Sequence, residues 1–344
     1  MEACPVKTFE PFKIKDLELK NRIVMPPMCM YSAPNSTVGD FHLQHYGARA
    51  LGGAGLIIAE ATGVLPEGRI SDNCLGLWSD DQVPPMARLV DHVHSLGAKI
   101  GIQLNHAGRK CGARAEKLYA PSAVNYSSDG TYPDPVEMTA DDIARVTDAF
   151  GSAAGRALAA GFDVIEVHGA HGYLVNQFLS PLSNIRRDGY GAIFEGRARF
   201  LQEVLQAVRE RWPQQKPLFL RVSAEDYAPG GMTPPDMVHI INRVTYMADV
   251  IHASSGGVTP VPPPVYPGYQ IPFAEKIREE CSVPTIAVGL ISTLDMAEET
   301  LQNNRADLVA MGRELLRNPF FPLLEGWKRG VPLPWPKQYE RAFR

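Results

Sequence analysis

The sequence has little cysteine, no long apolar run and no excess of either charge. Its five cysteines are scattered along 344 residues without a C-x-x-C pair, which predicts reduced thiols and excludes a clustered iron–sulfur site. No apolar run reaches membrane-spanning length, and residues 1–12 lack the apolar core of a signal peptide. The formal net charge of -4 offers no attraction for nucleic acid or an anionic membrane. These absences predict a mildly acidic cytoplasmic protein that binds neither nucleic acid nor membrane.

Short apolar runs that end in glycine or polar residues alternate with longer amphipathic stretches. Eight runs predict strands at 23–28, 55–62, 98–106, 163–168, 217–226, 249–256, 284–289 and 306–312. Six stretches predict helices at 81–96, 140–160, 195–211, 235–247, 273–281 and 293–303. Alternating strands and helices form parallel sheets, and eight such units favour a closed (β/α)₈ barrel over an open sheet. Residues 1–344 are therefore predicted to form a single TIM-barrel domain.

A cluster of three polar side chains follows the fourth predicted strand. His168, His171 and Tyr173 place two imidazoles and a phenol after a buried run, where polar groups without partners cost stability. Imidazoles can donate hydrogen bonds to a carbonyl oxygen, and a phenol can deliver a proton to a nearby carbon. In a barrel, function lies at the carboxyl ends of the strands. The cluster predicts a ligand-binding site. The alternative is a turn whose polar groups form hydrogen bonds with one another.

The ends of the last two predicted strands have the character of a phosphate site. Gly289 and Gly312 each lead into a helix, where glycine lets the backbone approach a ligand closely. Arg313 adds a planar positive group that suits phosphate. Two ordinary strand-to-helix turns are the alternative, but the position in the barrel favours phosphate.

Two polar residues inside predicted strands indicate a ring-shaped ligand. Gln103 and Arg221 alternate with apolar neighbours and therefore point into the barrel mouth. An amide and a guanidinium suit a flat polar heterocycle, although Arg221 could instead form an ion pair with Glu225 or Glu60. Together with the predicted phosphate site, these residues favour a phosphate-bearing ring cofactor, which FMN fits.

Five motifs, in order along the whole chain, resemble those of the Old Yellow Enzyme family. They are Pro27-Met28-Cys29-Met30-Tyr31, Gln103-Leu104-Asn105-His106-Ala107-Gly108-Arg109-Lys110, His168-Gly169-Ala170-His171-Gly172-Tyr173-Leu174, Phe178-Leu179-Ser180-Pro181 and Gly312-Arg313-Glu314-Leu315. Within the family, Cys29, Tyr31 and the ending Gln338-Tyr339-Glu340-Arg341 are similar to the YqjM-like, thermophilic-type ene-reductases.

The resemblance implies an NADPH dehydrogenase or ene-reductase with FMN at the barrel mouth. NADPH, with NADH as the alternative, would supply hydride, and flavin N5 would pass it to the β-carbon of an enone or enal. The residues implied to contact the flavin ring are Pro27, Met28, Cys29, Ala61, Gln103 and Arg221, and those implied to hold the phosphate are Gly289, Gly312 and Arg313.

The resemblance also assigns roles around the substrate. His168 and His171 would hold the carbonyl oxygen, and Tyr173 would protonate the α-carbon. Cys29 would tune the flavin potential, Tyr31 would hydrogen-bond the ligand and Lys110 would line the mouth. Arg341 is implied to reach into a neighbouring subunit, which places residues 331–344 at an interface of a homodimer or of a homotetramer built from dimers.

Four residues depart from the family pattern. Pro26 replaces a serine or alanine, which removes an N–H, and Asn105 replaces a usual alanine. Ala192 and Gly196 differ from the pattern after the fourth strand, and none of the four removes a proposed catalytic group. The proline-rich segment 258–269 is predicted to be a loop over the site.

Two rival interpretations come from other classes. In a metal-dependent TIM-barrel hydrolase, the pairs His168/His171 and His42/His45 would supply ligands, since both have a plausible spacing. No third ligand is evident, and no metal site is predicted. A non-catalytic flavin-binding protein would need the cofactor contacts but neither the two imidazoles after the fourth strand nor Tyr173.

Overall fold

The computed structural model describes residues 6–127 and 129–343, and at its centre is a closed barrel of eight parallel strands. The barrel strands are β1 Ile23–Met25, β2 Leu56–Gly63, β3 Lys99–Asn105, β4 Val164–Gly169, β5 Leu218–Ser223, β6 Val250–Ser254, β7 Thr285–Ala287 and β8 Leu308–Ala310. They follow one another around the barrel in chain order, and β8 pairs with β1 to close it. The predicted (β/α)₈ barrel is confirmed, and each of the eight predicted strands overlaps an observed one.

Helices surround the barrel. Within the described residues they are α1 Asp40–Leu51, α2 Val83–Ser95, α3 Ala140–Ala159, α4 Leu174–Leu179, α5 Phe194–Arg211, α6 Pro234–Asn242, α7 Ile271–Cys281, α8 Leu294–Gln302, α9 Gly312–Arg317 and α10 Phe321–Lys328. The six predicted helices are present, whereas α1, α4, α9 and α10 did not follow from the sequence. None of the described helices is long and apolar enough to cross a membrane.

The first strand is shorter than predicted. It was expected to extend to residue 28 but ends at Met25. Pro26 and Pro27 follow directly, and proline has no N–H with which to continue the hydrogen-bonded ladder. The apolar run therefore continues as irregular chain across the barrel mouth.

The inward-facing side chains change character from one end of the barrel to the other. At the amino-terminal end they are apolar and pack against Leu17 and Leu19, from a hairpin of strands Phe12–Ile14 and Leu17–Leu19. Toward the mouth they are polar, while their sequence neighbours pack outward against the helices. These inward polar residues are Gln103, Glu166, His168, Arg221 and His252. One end is thus a packed core, and the other can hold a polar ligand.

The loop after β3 carries a further short parallel pair, Tyr119–Ala120 with Val136–Glu137. The segment 258–269 contains no helix or strand, and its Pro267 and Tyr269 border the barrel mouth. The segment is therefore a loop, as predicted, and it borders the barrel mouth.

Candidate active site

A cavity of about 400 Å³ lies at the carboxyl ends of the barrel strands. It gathers residues that are far apart in sequence, because the ends of parallel strands meet at one face of a barrel. The predicted site residues that line it are Pro27, Met28, His171, Arg221, Gly289, Gly312 and Arg313. The structure thus brings together seven of the residues that the sequence singled out.

One end of this cavity is suited to a phosphate. Gly289 has φ of +123°, and a Cβ there would lie 2.9 Å from the backbone nitrogen of Gln270, so the position requires glycine. Arg313 lines this end together with Arg317, which did not follow from the sequence. Arg317 stands four residues after Arg313, a spacing that puts both on one helical face, and it is paired with Glu314 at 2.5 Å. The cationic wall matches the chemistry of a phosphate monoester.

The inner wall presents a buried guanidinium. Arg221 is 8% exposed, and its Nε has no hydrogen-bond partner. Burial lowers the pKa of Arg221, which Glu166 partly opposes. The ion pairs with Glu225 or Glu60 that the sequence allowed are absent from the described chain. A buried N–H donor without a partner fits a ligand that brings an acceptor, as the pyrimidine edge of a flavin does.

Beside Arg221 lies a buried polar triad. Gln103 Nε2 donates to Glu166 Oε1 at 2.8 Å, and His252 Nδ1 lies 2.8 Å from Glu166 Oε2. The orientation of the Gln103 amide is thereby fixed, because a carboxylate only accepts hydrogen bonds. Glu166 and His252 did not follow from the sequence, although each is a polar residue at an inward position of an otherwise apolar strand.

The two imidazoles of the predicted cluster meet through their ring nitrogens. His171 Nδ1 lies 3.3 Å from His168 Nε2, and His171 Nε2 lies 2.7 Å from Ser254 Oγ. Burial lowers the pKa of both histidines well below the ordinary value, and the charge of Arg221 adds to the effect. Both rings are therefore neutral at physiological pH, and each carries one N–H donor.

The backbone of His171 is strained and held in place. It has φ of +59°, its N–H donates to Ser223 Oγ at 2.9 Å, and its carbonyl accepts from Lys110 Nζ at 2.9 Å. The next residue must be glycine, since a Cβ on Gly172 would lie 2.0 Å from the carbonyl oxygen of Gly257. This strained turn aims the imidazole at the barrel mouth.

Tyr173 lies against the histidines. Its ring meets that of His168 edge to face at 4.9 Å, and no described group forms a hydrogen bond with its phenol. Burial raises the pKa of Tyr173 well above its ordinary value, so the phenol keeps its proton. The Lys110 ammonium lies 5.2 Å from the Tyr173 ring centroid. Burial lowers the pKa of Lys110 to about 8.

Cys29 and Tyr31, which follow Pro27 and Met28 after β1, lie outside the lining of the 400 Å³ cavity. Met30 N–H donates to Glu60 Oε2 at 3.0 Å, which anchors the segment between Cys29 and Tyr31. A hydrogen bond to Cys74, followed by burial, raises the pKa of Cys29 well above its usual range. Burial is the largest cause that raises the pKa of Tyr31 to about 12.

Ala61 lies on β2, and the four residues that depart from the family pattern lie after β1, at the end of β3, and in or just before α5. Ala61 borders an irregularity in the β2–β3 pairing. Pro26 lines the cavity, and Asn105 is buried at the end of β3 with its Oδ1 unpartnered. Ala192 adopts φ of +53° in the turn before α5, and Gly196 lies on α5.

Arg341 is exposed in the short helical turn Glu340–Ala342 and is not part of the cavity lining. The chain around it folds back on α10, since the rings of Tyr339 and Phe343 lie 5.9 Å and 5.6 Å from those of Phe320 and Trp327. Arg344, the last residue of the predicted interface segment, lies outside the described residues.

The His42/His45 pair lies on α1, away from the other pair. His42 Nδ1 accepts from the N–H of Gly39 at 3.1 Å, so this histidine caps the start of the helix. Within residues 6–127 and 129–343, no group of three or more His, Cys, Asp or Glu side chains could hold a metal ion. The hydrolase interpretation lacks a ligand set in this part of the chain.

Comparisons with known proteins agree with this geometry. The profile of the family described as NADH:flavin oxidoreductase / NADH oxidase matches residues 7–326. An NADPH dehydrogenase of Clostridium acetobutylicum is 56% identical over 340 residues, which cover 98% of this chain and 100% of that protein. Morphinone reductase superposes with a TM-score of 0.81 at 30% identity, over 98% of this chain and 93% of its own. The old yellow enzyme homologue from Zymomonas mobilis superposes with a TM-score of 0.79 at 28% identity, over 95% and 94%.

Proposed function

The chain belongs to the NADH:flavin oxidoreductase / NADH oxidase family, and we propose that it reduces the C=C bond of α,β-unsaturated aldehydes and ketones. It is an Old Yellow Enzyme-like oxidoreductase that uses FMN and NAD(P)H. One observation carries the proposal. Two neutral imidazoles, on His168 and His171, bring ring nitrogens to within 3.3 Å of each other beside the unpartnered phenol of Tyr173. Hydrogen-bond donors next to a proton donor suit a carbonyl compound whose α-carbon becomes protonated.

The cofactor is held from two sides in this proposal. Arg313 and the backbone at Gly289 and Gly312 bind its phosphate. Its ring contacts are Pro27, Met28, Cys29, Ala61, Gln103 and Arg221. When bound, FMN would supply the hydride chemistry that links NAD(P)H to the β-carbon of the substrate. Arg221 favours that chemistry, because a buried positive charge stabilises negative charge that develops on a neighbouring ring.

The histidines act on the carbonyl oxygen. Hydride arrival at the β-carbon moves negative charge onto this oxygen, so a donor from His168 and another from His171 bind it more tightly in the transition state than in the substrate. Losing one such donor typically costs about 10²- to 10³-fold in rate. Tyr173 then gives its proton to the α-carbon, while Tyr31 and Lys110 border the substrate.

Partners are proposed on the same basis. The small-molecule substrate enters at the mouth, and Arg341 with residues 331–344 meets a second subunit in a homodimer or a homotetramer built from dimers. A cytoplasmic location belongs to the proposal as well.

Steady-state turnover tests the proposal. Purified protein should be yellow and should convert cyclohex-2-enone to cyclohexanone at the expense of NADPH. A yellow protein whose reduced flavin no enone reoxidises would favour the non-catalytic flavin-binding protein, and a protein that binds no FMN would contradict both interpretations.

A further inference from the structure

Four consecutive backbone carbonyls, those of residues 256–259 just after β6, each accept a hydrogen bond from a side chain. The donors are Ser223 Oγ to Gly256 at 2.8 Å, Lys110 Nζ to Gly257 at 3.0 Å, Arg109 Nη2 to Val258 at 2.6 Å and Tyr126 Oη to Thr259 at 3.3 Å. Three of these donors lie in the loop after β3. This loop therefore fixes the chain where the segment 258–269 begins.

Arg109 joins the two loops through both ends of its guanidinium. Its Nη1 donates to the carbonyls of Val124 at 2.8 Å and Asn125 at 3.3 Å, while its Nη2 donates to the carbonyl of Val258, which is 149 residues away in sequence. Arg109 is 2% exposed, and burial lowers its pKa to about 10, so it stays positively charged at neutral pH. A buried charge is costly unless hydrogen bonds compensate it, and here backbone carbonyls accept them. The buried guanidinium thus serves to hold the two loops together.

The segment 258–269 is stiff between its two ends. Five of residues 260–267 are prolines, which lack an N–H and have a fixed φ: Pro260, Pro262, Pro263, Pro264 and Pro267. No backbone–backbone hydrogen bond joins residues 260–265 to the rest of the described chain. At the far end, the N–H of Gly268 donates to the carbonyl of Gly289 at 2.7 Å. The position of the segment therefore depends on its attachments at the two ends.

Two glycines stand at the first of these attachments. Gly256 and Gly257 have φ of +73° and +93°, in the left-handed region that favours glycine. Hinge residues absorb large changes in φ and ψ, and glycine does so at little cost. Gly257 also packs on the turn that carries His171, since a Cβ on Gly257 would lie 2.7 Å from His171 Cα. A rotation here would change the wall beside His171 and would move Pro267 and Tyr269, which line the cavity.

We propose that Arg109 and Tyr126 are positioning residues that hold the segment 258–269 across the barrel mouth, with Gly256 and Gly257 as its hinge. Without their hydrogen bonds the segment also populates positions away from the mouth. The proposal rests on the proposed function, in which the mouth admits an enone, and it makes the segment one wall of that site. Substrate that needs this wall binds only the fraction of molecules in which the segment is in place, so its apparent affinity falls by that fraction.

The geometry at position 109 requires arginine. A guanidinium presents donors on both Nη atoms in a fixed fork, one toward Val124 and Asn125 and the other toward Val258. Lysine keeps the positive charge but has a single nitrogen on a flexible stem, so it cannot join both loops in this way. Arg109→Lys therefore tests the link between the loops separately from the charge.

Electron paramagnetic resonance tests this link without turnover. A nitroxide on Val265→Cys, at a position that is 55% exposed, reports the motion of the segment in FMN-loaded protein, and protein without the added cysteine is the blank. We expect faster motion of the label in Arg109→Lys, with a rotational correlation time shorter by about twofold or more. Arg114→Lys is the matched control, because Arg114 lies in the same loop and its side chain is 96% exposed. An unchanged spectrum in Arg109→Lys, or an equal change in Arg114→Lys, would overturn the proposal.

The split between KM and kcat is the second readout. If the segment is in place in about one tenth of the Arg109→Lys molecules, KM for cyclohex-2-enone should rise about tenfold. The value of kcat should stay within about threefold of the wild type, because saturating substrate selects the molecules in which the segment is in place. Arg114→Lys should change neither constant. A lower kcat at unchanged KM, or no change in either constant, would contradict a positioning role for Arg109.

Tyr126→Phe covers the case in which Arg109→Lys does not fold. It removes only the hydroxyl that donates to the carbonyl of Thr259, so the label on Val265→Cys should again move faster. An unchanged spectrum in this variant would also overturn the proposal. A wild-type enzyme that no enone reoxidises would contradict the proposed function, whereas the spectra would still decide whether Arg109 and Tyr126 hold the segment.

Discussion

His168 and Arg221 are direct neighbours across the β4–β5 pairing at the barrel mouth. Burial lowers the pKa of His168, and the positive charge of Arg221 lowers it further. The same causes, in the same order, lower the pKa of His171. The guanidinium that suits a flavin ring therefore also keeps two imidazoles neutral, so each offers one N–H donor.

This neutrality predicts lower stability in acid. In the unfolded chain both histidines bind a proton below about pH 6.5, whereas in the folded protein their lowered pKa keeps them neutral to lower pH. The unfolded state then binds more protons, so the free energy of unfolding decreases as the pH falls through this window. Thermal unfolding between about pH 7 and about pH 5 should show a steeper fall in Tm for the wild type than for a His168→Gln/His171→Gln variant. Equal slopes would contradict the buried neutral state.

Tyr173→Phe should separate the two half-reactions. Removing the phenolic proton should slow reoxidation of the reduced enzyme by an enone by about 10²- to 10⁴-fold and leave flavin reduction by NADPH nearly intact. Anaerobic stopped-flow absorbance follows each half-reaction separately. Tyr132→Phe is the control, because it removes a phenol whose ring meets that of Tyr126 edge to face. An equal loss in both half-reactions would reject Tyr173 as the proton donor.

Arg313 and Arg317 should differ in their effect on cofactor binding, although both line the cavity. Arg313→Ala removes a charge-assisted hydrogen bond of about 1.5–3 kcal/mol, so FMN affinity should fall by roughly 10- to 150-fold. Arg317→Ala should cost much less, because Glu314 already pairs with Arg317. Titration of apoprotein with FMN, followed by flavin fluorescence, measures both dissociation constants. Equal losses would place the phosphate elsewhere in the cavity.

Cys29→Ala should shift the flavin potential while FMN binding is retained. A single hydrogen bond is worth about 1 kcal/mol, which corresponds to about 20 mV for a two-electron couple. Cys74→Ala is a graded control, since it removes the side chain that raises the pKa of Cys29 most and leaves Cys29 itself in place. Reductive titration against a dye of known potential provides the measurement, and an unchanged potential in Cys29→Ala would remove the cysteine from the flavin environment.

The sequence predicted the barrel because each strand is an apolar run with a polar or glycine end. The positions of Gly289, Gly312 and Arg313 at the cavity could be predicted for the same reason, since the ends of the strands lie at the mouth of a barrel. Helix α1 could not be predicted, because His42, His45 and Gly47 interrupt its apolar face. Its contacts with β2 and α2 stabilise it instead. Helices α4 and α9 have six residues each, too few to show a helical period.

The sequence could not predict which side chains in the site form hydrogen bonds with one another. His171 and Ser254 are 83 residues apart, and Gln103 and Glu166 are 63 apart, so only the closed barrel brings them together. Periodicity gives the inward direction of Arg221 but does not show that Glu225 and Glu60 remain unpaired with it. For Glu60, the reason is that its carboxylate is already occupied by Met30 N–H and Tyr46.

Isotope placement in the product tests the central claim most directly. Wild-type enzyme should reduce cyclohex-2-enone with 4-deuterated NADPH to cyclohexanone that carries deuterium at the β-carbon. With unlabelled NADPH in D₂O, the deuterium should appear at the α-carbon, and Tyr173→Phe should slow this reaction strongly. Deuterium from NADPH at the α-carbon, or none in the product, would contradict hydride delivery to the β-carbon and protonation from the Tyr173 side.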